Sequence, residues 1–500
     1  MSCYFFAVGG TGQTVLLNYL RLAFIAGFKP APFYVIDADV SGPLTESIAL
    51  YANLTGRERG EGTPHIVPFP HLARQDSSNA RVLADGGAEE IDLVLRAFYS
   101  ADELNGDPHH GFFGLPAIAS AIAAKKIHLV ENAADFGGDV EFKNVSEALK
   151  RQETKSVAFV GSNYGGTGAG VMPTFARYFK RLAPTHNRVS VLCLMPWFQL
   201  RVSEHPAQQG EPTIRHEQLI RNSEGGLAYY GDEFRRGIDE FVFLGRSDFE
   251  ERVYSRAYRD QPEHQHPINL LAALMAHESL SADSAPTVRD ALGTGNFMSY
   301  WKKENGADLL DYPVRKGLGN DAPAIAFGKA ITVFIGRESM MRSFREFLSP
   351  LPSTTLDFFP NRVVPARLRL AVERIARETG TSKDAVIGRL RGVVEARLKH
   401  YKSVMDWLFG GPRAPQGESR EGIQRERFLE FTRDDLRPRG SKFEDYQRFP
   451  TTFFHDAFRG DGGLKIGDAR TPQIRNVEAL ANQIESVFQT ALEGIVRAGA

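Results

Sequence analysis

Cysteine is nearly absent. The 500 residues hold two, Cys3 and Cys193, too few for a disulfide framework or a cysteine-rich zinc site. So little cysteine suits a reducing compartment, and a cytoplasmic location is expected. Net charge is nearly absent too, since 60 Lys plus Arg against 61 Asp plus Glu leave −1. No global positive field exists to hold nucleic acid or an anionic membrane, and neither partner is expected. No apolar run approaches the ~20 residues needed to span a bilayer. A strand-like run starts within a few residues of Met1 with no basic segment ahead of it, which speaks against a secretory signal. Internal repeats are missing, as are HExxH, paired CxxC and GxSxG patterns. What remains is ordinary globular composition, 42% apolar and 24% charged, in a chain long enough for about two to four domains.

Short apolar runs alternate with helical patterns in the N-terminal half. Residues 4–8, 33–36, 127–130, 157–160, 189–194 and 241–244 are continuous and rich in β-branched or aromatic side chains. Strands buried on both faces of a parallel sheet look like this. Helical spacing follows over 14–28 (Val15, Leu16, Tyr19, Leu20, Ala23, Phe24) and over 171–182. The pattern predicts an open α/β sheet with right-handed crossovers. Residues 40–125 are rich in Gly, Pro, Asp, Asn and Ser and read as a loop-heavy insertion. Further on, 267–280 is a strongly apolar helix and 324–335 a strand region. Leu368, Val372 and Ile375 share a helical face. A capping-box pattern at Thr381 to Asp384 precedes Val386, Leu390, Val394 and Leu398. Residues 411–446 form a polar connector, and Phe428, Phe431, Phe453, Phe454 and Phe458 are candidates for docking a protein partner. Pro472 opens a C-terminal amphipathic helix with Val477, Ile484, Phe488 and Ile495, which either caps its own domain or binds a neighbour.

Two glycine-rich strand-to-helix turns carry the functional signal. The first reads Gly9, Gly10, Thr11, Gly12, Gln13. The second reads GSNYGGTGAG from Gly161 to Gly170. Helix N-termini offer unpaired N–H groups and a positive dipole end to an anion. Glycine lets the backbone come close to a phosphate, and Thr11 and Thr167 add hydroxyls. Three nucleotide folds compete. A P-loop needs a lysine that neither turn has. A dinucleotide site wants G-x-G-x-x-G and a distant acid; Gly10, Gly12 and Asp37 suit it, while Val15 stands at the third glycine.

The third is the tubulin/FtsZ superfamily. Gly165, Gly166, Thr167, Gly168, Ala169 and Gly170, after a strand and before a helix, resemble its signature G-G-G-T-G-[ST]-G. The first turn likewise resembles its N-terminal phosphate loop. The chain looks like a divergent bacterial tubulin-like protein, similar over roughly residues 3–300. The resemblance implies that these six residues and Gly9 to Gln13 wrap the phosphates of GTP or GDP. Tyr164 replaces the signature's first glycine and Ala169 its Ser/Thr, so one hydroxyl contact is lost. Asp37 would approach the nucleotide or a Mg2+ water shell. His109, His110, Gly111 and Gly114 would form the loop sensing the terminal phosphate. Glu211 and Arg215 have the family's ribose-site spacing, and the pair also suits a plain helix face. Ser247 and Asp248 take the places of a base-holding Asn-Asp, and Asn269 that of the base-contacting Asn on the central helix. No metal-binding residue set stands out; the spacing of His264, His266 and His277 fits no common site.

In the family, acids after the central helix act on the next subunit's nucleotide. Gly293 and Asn296 match that loop's G-x-x-N, while Met298 and Trp301 stand at its acidic positions. Glu278, Asp283 and Asp290 are the nearby substitutes. The implied fold is a tubulin/FtsZ-like Rossmann-type parallel sheet domain (1–265), a central helix with an α+β second domain (266–410), and a polar connector with a helical C-terminal extension (411–500). The implied function is a nucleotide-binding protein with weak or atypical GTPase activity, self-associating head-to-tail into filaments. A non-polymerising nucleotide-gated scaffold and an NAD-linked oxidoreductase remain as alternatives.

Overall fold

Seven short runs of aromatic and β-branched residues line up as one sheet. They are β1 (Ser2–Val8), β2 (Phe33–Asp37), β3 (His65–Pro68), β4 (Thr154–Ser162), β5 (Arg188–Leu194), β7 (Glu240–Arg246) and β9 (Phe297–Lys302). Their order is β3-β2-β1-β4-β5-β7-β9, and every pairing is parallel. Two short strands, β6 (Phe198–Arg201) and β8 (Glu250–Val253), pair with each other separately. The computed structural model describes residues 2–37, 43–55, 65–68, 78, 80, 83, 96–105, 112, 114–132, 146–151, 154–182, 188–201, 216–235, 238–246, 250–253, 266–280, 297–302, 322–348, 363–409 and 476–498. The chain divides into two compact units. The first is Met1–Ala23, Gly27–Arg259 and Ile268–Glu304; the second is Phe24–Ala26, Asp260–Pro267 and Asn305–Ala500.

In the first unit the sheet alternates with α1 (Gly9–Ala26), α2 (Pro43–Leu54), α3 (Ala101–Asn105), α4 (Pro116–Asn132), α5 (Gly166–Leu182), α6 (His216–Arg235) and α7 (Pro267–Leu280). Helices cover both faces. Phe6, Tyr34, Phe159, Val191 and Phe243 pack with Ile118 and Ile122 of α4, Met172 and Phe175 of α5, and Tyr230 of α6. The alternate residues turn to α1 and α7: Phe5 stacks on Tyr19 at 5.2 Å, and the Ser156 hydroxyl donates to the Leu280 carbonyl at 3.1 Å. Burial on both sides explains why the strands read as unbroken apolar runs. The strand order reverses between β1 and β4. In doubly wound sheets of this order, ligands bind beyond the carboxyl ends of the strands at that reversal.

Several expectations need correction. Residues 127–130 are not a strand; they end α4. Pro116 begins this helix, and Ile118, Ile122 and Ile127 bury one side of it, so the short apolar run belonged to a longer helical period. Residues 324–335 lie in α8 (Ala322–Leu348), a 27-residue helix; Phe327, Ile331 and Phe334 are buried there. The loop-heavy stretch 40–125 holds α2, β3, α3 and the start of α4.

The described residues of the second unit are helical in α8, α9 (Val363–Thr379), α10 (Lys383–Phe409) and α11 (Val477–Ala498). The cap of α10 is Ser382, whose hydroxyl accepts from the Ala385 N–H at 3.2 Å, rather than Thr381, which accepts from Arg389. The C-terminal helix caps its own unit. Leu480, Ile484 and Phe488 are buried, and Phe488 meets Phe344 of α8 edge-on. A polar network joins three helices: Arg397 pairs with Glu485, the Tyr401 hydroxyl donates to Glu485 at 2.8 Å, and Arg337 lies over the Tyr401 ring at 5.1 Å while donating to Gln489. The connector 411–446, the phenylalanines from Phe428 to Phe458, and Pro472 lie outside the described residues.

Candidate functional site

The two glycine turns flank the reversal of strand order and touch each other. Helix α1 starts at Gly9, directly after the last residue of β1. Gly9 holds φ at 70°, a value that a side chain tolerates poorly. A Cβ there would lie 3.3 Å from both the Thr167 Cβ and the Gly168 N. The preceding residue, Val8, offers no side-chain cap, and the first turn of α1 carries no acid. Its leading N–H groups therefore keep their attraction for an anion. Gly10 is exposed, and a Cβ added there meets nothing within 4 Å. Thr11 is half-buried, and its Oγ1 lies 3.4 Å from the Tyr164 hydroxyl. Gly12 is pressed against the Val160 carbonyl and Ala7, which seats α1 on the sheet.

In the second turn most glycines serve packing. A Cβ on Gly168 would come within 2.6 Å of the Ser162 carbonyl. One on Gly166 or Gly170 would strike Phe112 or the Pro116 carbonyl. The Ser162 hydroxyl accepts from the Gly165 N–H at 3.3 Å. Thr167 and Ala169 are each 8% exposed, and the first turn of α5 again has no acid. Gln13 and Asp37 are buried together. The Gln13 amide donates to Asp37 Oδ2 at 2.7 Å, and Thr45 of α2 donates to Gln13. This carboxylate, 5% exposed, is thus held within the fold.

A third turn, whose Gly114 the family resemblance gave to the loop sensing the terminal phosphate, joins these two. Leu115 N–H donates to the Phe112 carbonyl at 2.7 Å, with Gly114 at φ 74°. From α6, Asn222 Nδ2 donates to the Gly114 carbonyl at 2.8 Å and to the Tyr164 carbonyl at 3.1 Å. Gln218 also donates to Gly114 at 3.1 Å. Asn163, fully buried, donates to the Ser223 carbonyl at 3.0 Å. Sequence reasoning missed Asn222 and Gln218. The available signal was their spacing of four with Gly226, which places all three on one helix face.

The remaining predicted residues fall in α7, in β9 or outside the described residues. Asn269 is buried in the first turn of α7. Glu278 is near the other end of that helix. Its neighbour Ser279 donates to Glu240 at 2.8 Å, and Leu280 accepts from Ser156. Glu240 and Ser156 sit at the starts of β7 and β4, so Glu278 is at the amino edge of the sheet and the glycine turns are at its carboxyl edge. From Ser156 to Ser162, β4 spans about 20 Å at roughly 3.3 Å per residue. Met298 and Trp301, expected in an acidic-type loop, lie in β9, opposite Val242 and Gly245 of β7. A run of aromatic residues favours such an edge strand over a loop. Gly111, His109, His110, Glu211, Arg215, Ser247, Asp248, Asp283, Asp290 and residues 293–296 lie outside the described residues.

His277 packs against the Phe28 ring at 4.6 Å, and burial holds its pKa below the ordinary histidine value. Among the described residues no group of His, Cys, Asp or Glu is arranged to hold a metal ion, and no helix is long and apolar enough to cross a membrane.

No protein-family model matches the chain, and no curated protein matches it. Among solved structures the chain is similar to CetZ2 from Haloferax volcanii, a GTPγS-bound protofilament, at 13% identity over 63% of this chain and 72% of that one, with a TM-score of 0.31. It is similar to CetZ1 from Haloferax volcanii, a GDP-bound monomer, at 13% identity over 63% and 73% of the two chains, also with a TM-score of 0.31. A likeness this weak carries no argument about ligand or assembly.

Proposed function

We propose that the chain binds a guanine nucleotide between the β1–α1 and β4–α5 turns and self-associates head-to-tail as tubulin/FtsZ-like proteins do. One observation carries the reading: two acid-free helix starts, the first without a side-chain cap, meet at the reversal of strand order, with Gly9 against Thr167 and Gly168. Two converging helix N-termini suit a polyphosphate without a lysine. The residues fit that group. The main chain at Gly10 is open, and the hydroxyls of Thr11 and Tyr164 converge beside it. They offer a Mg2+ ion no carboxylate, because neither first turn has an acid and Asp37 is engaged by Gln13. Such an ion would take its ligands from phosphate and water, as Mg2+ commonly does.

Guanine is favoured by the resemblance to the tubulin/FtsZ superfamily that the GGTGAG turn carries. A bound GTP supplies the phosphoanhydride bond; the protein's part is to hold the phosphates and orient them. Glu278 supports the head-to-tail arrangement. At the amino edge of the sheet it is remote from its own turns, and it becomes useful only where that edge meets another subunit's carboxyl edge. Such a heterologous, non-closing contact produces filaments. The isolated subunit is then a slow hydrolase, since Asp37, the acid in contact with the first turn, is held by Gln13. An NAD site is disfavoured because it would need Asp37 open to a ribose, and Gln13 covers it.

Mass spectrometry of the small molecules released on denaturing the purified chain tests the ligand, with GDP or GTP expected. Light scattering with GTP against GDP tests assembly. Release of a nicotinamide dinucleotide, or of no nucleotide with no binding of added GTP, refutes the ligand reading. A persistent monomer in GTP leaves the non-polymerising scaffold.

A further inference from the structure

Three turns converge on the start of α5. The Gly9 turn meets Thr167 and Gly168 on one side, and the Phe112–Leu115 turn presses on Gly166 on the other. Helix α6 holds the second and third together. Asn222 places both its amide hydrogens on main-chain carbonyls, one from each turn. Gln218, one helical turn earlier, doubles the grip on Gly114. One turn later Gly226 leaves room for Asn163, whose amide donates to Ser223. The face of α6 formed by Gln218, Asn222 and Gly226 thus clamps the signature turn and the Gly114 turn into one body.

Side-chain amides that donate to backbone carbonyls of the two turns are not needed to hold α6 on the sheet. Leu219 and Tyr230 already bury its apolar side, with Tyr230 against Phe241 and Phe243. The clamp instead sets the distance between two turns that flank a helix start. We propose that Asn222, assisted by Gln218, is a positioning residue for the last phosphate of the nucleotide chain. It touches no ligand itself; by fixing the Gly114 turn beside the start of α5 it would hold that turn against the outer phosphate of a triphosphate, a contact that a diphosphate would lack. This inference rests on the nucleotide reading above. It gives α6 a second role, since any shift of α6 would be felt first as a change in preference between tri- and diphosphate.

The test uses the full chain and the fluorescent nucleotides mant-GTPγS and mant-GDP. Wild type should prefer the triphosphate. Asn222→Leu keeps the volume and removes both donors. Its triphosphate preference should fall about tenfold, from two hydrogen bonds of ordinary net strength, while mant-GDP affinity stays within about twofold. Gln218→Ala, which removes one bond, should lower the preference by about threefold and serves as the deciding variant if Asn222→Leu does not fold. A merely structural role would weaken both nucleotides together. Equal weakening of the two, an unchanged ratio in the variants, or a wild type without preference overturns the positioning role and leaves nucleotide binding intact. Wild type binding neither nucleotide sinks the underlying reading instead.

Discussion

Gly10 separates ligand binding from folding more sharply than any other residue of the two turns. It is exposed, is not held at positive φ, and has no atom within 4 Å of an added Cβ. Gly10→Asp therefore introduces a charge without a clash. In the ligand-free chain an acid in the first turn of α1 should raise stability by about 0.3–1 kcal/mol, through the helix dipole. With nucleotide present the sign reverses. A carboxylate about 5 Å from a phosphate charge, at an effective dielectric of about 20, costs roughly 3 kcal/mol per unit charge. That is more than a hundredfold in affinity. Gly168→Ala is the opposite case. Its Cβ would lie 2.6 Å from the Ser162 carbonyl, and such overpacking costs about 1–3 kcal/mol of stability before any ligand is added. Calorimetric titration with GDP and urea melts of both variants check the pair. A Gly10→Asp protein that melts like wild type and binds GDP within about threefold of it would show that no phosphate sits at the start of α1, and the reasoning would fail at its root.

Two further outcomes follow from the buried groups. Burial alone would push the Glu485 carboxyl up, but Arg397, Arg337 and the Tyr401 hydroxyl outweigh it and hold it below the ordinary carboxylate value. A folded pKa below the unfolded one gives stability that is present above about pH 4.5 and lost as the pH falls through the lower folded value. Glu485→Gln should flatten that acid limb in urea melts of the full chain and cost about 3–5 kcal/mol at neutral pH, since Arg397 loses its partner; an acid limb as steep as wild type would refute the assignment. Burial likewise pushes the Cys193 thiol up to about 12, offset in part by its hydrogen bond with Tyr230. An aromatic disulfide reagent at pH 8 should therefore titrate Cys3 in the native chain and Cys193 only after unfolding, because the thiolate is the reactive form; two native thiols reacting at similar rates would contradict this.

The α/β class was legible in the chain because double-sided burial leaves an unmistakable local mark. Residues of β1, β4 and β5 alternate between two helix layers, and neither layer admits a polar side chain readily. The glycine turns were legible for the same reason, as each sits where an apolar run gives way to helical spacing. Short apolar runs without such context misled: 127–130 and 324–335 belong to helices, because four to a dozen apolar residues suit a buried helix as well as a strand. Met298 and Trp301 misled in another way, since matching a motif through an insertion carries no information about strand pairing.

What the sequence determined alone was thus the succession of elements and the presence of two backbone-rich turns, both properties of neighbouring residues. Which glycine faces open space and which faces Ser162, that Asp37 is covered by Gln13, that Asn222 spans two turns, and that Glu278 stands on the far edge from those turns were decided only by the folded sheet. Each of these depends on groups that strand order brings together across long separations, and no local periodicity encodes that order.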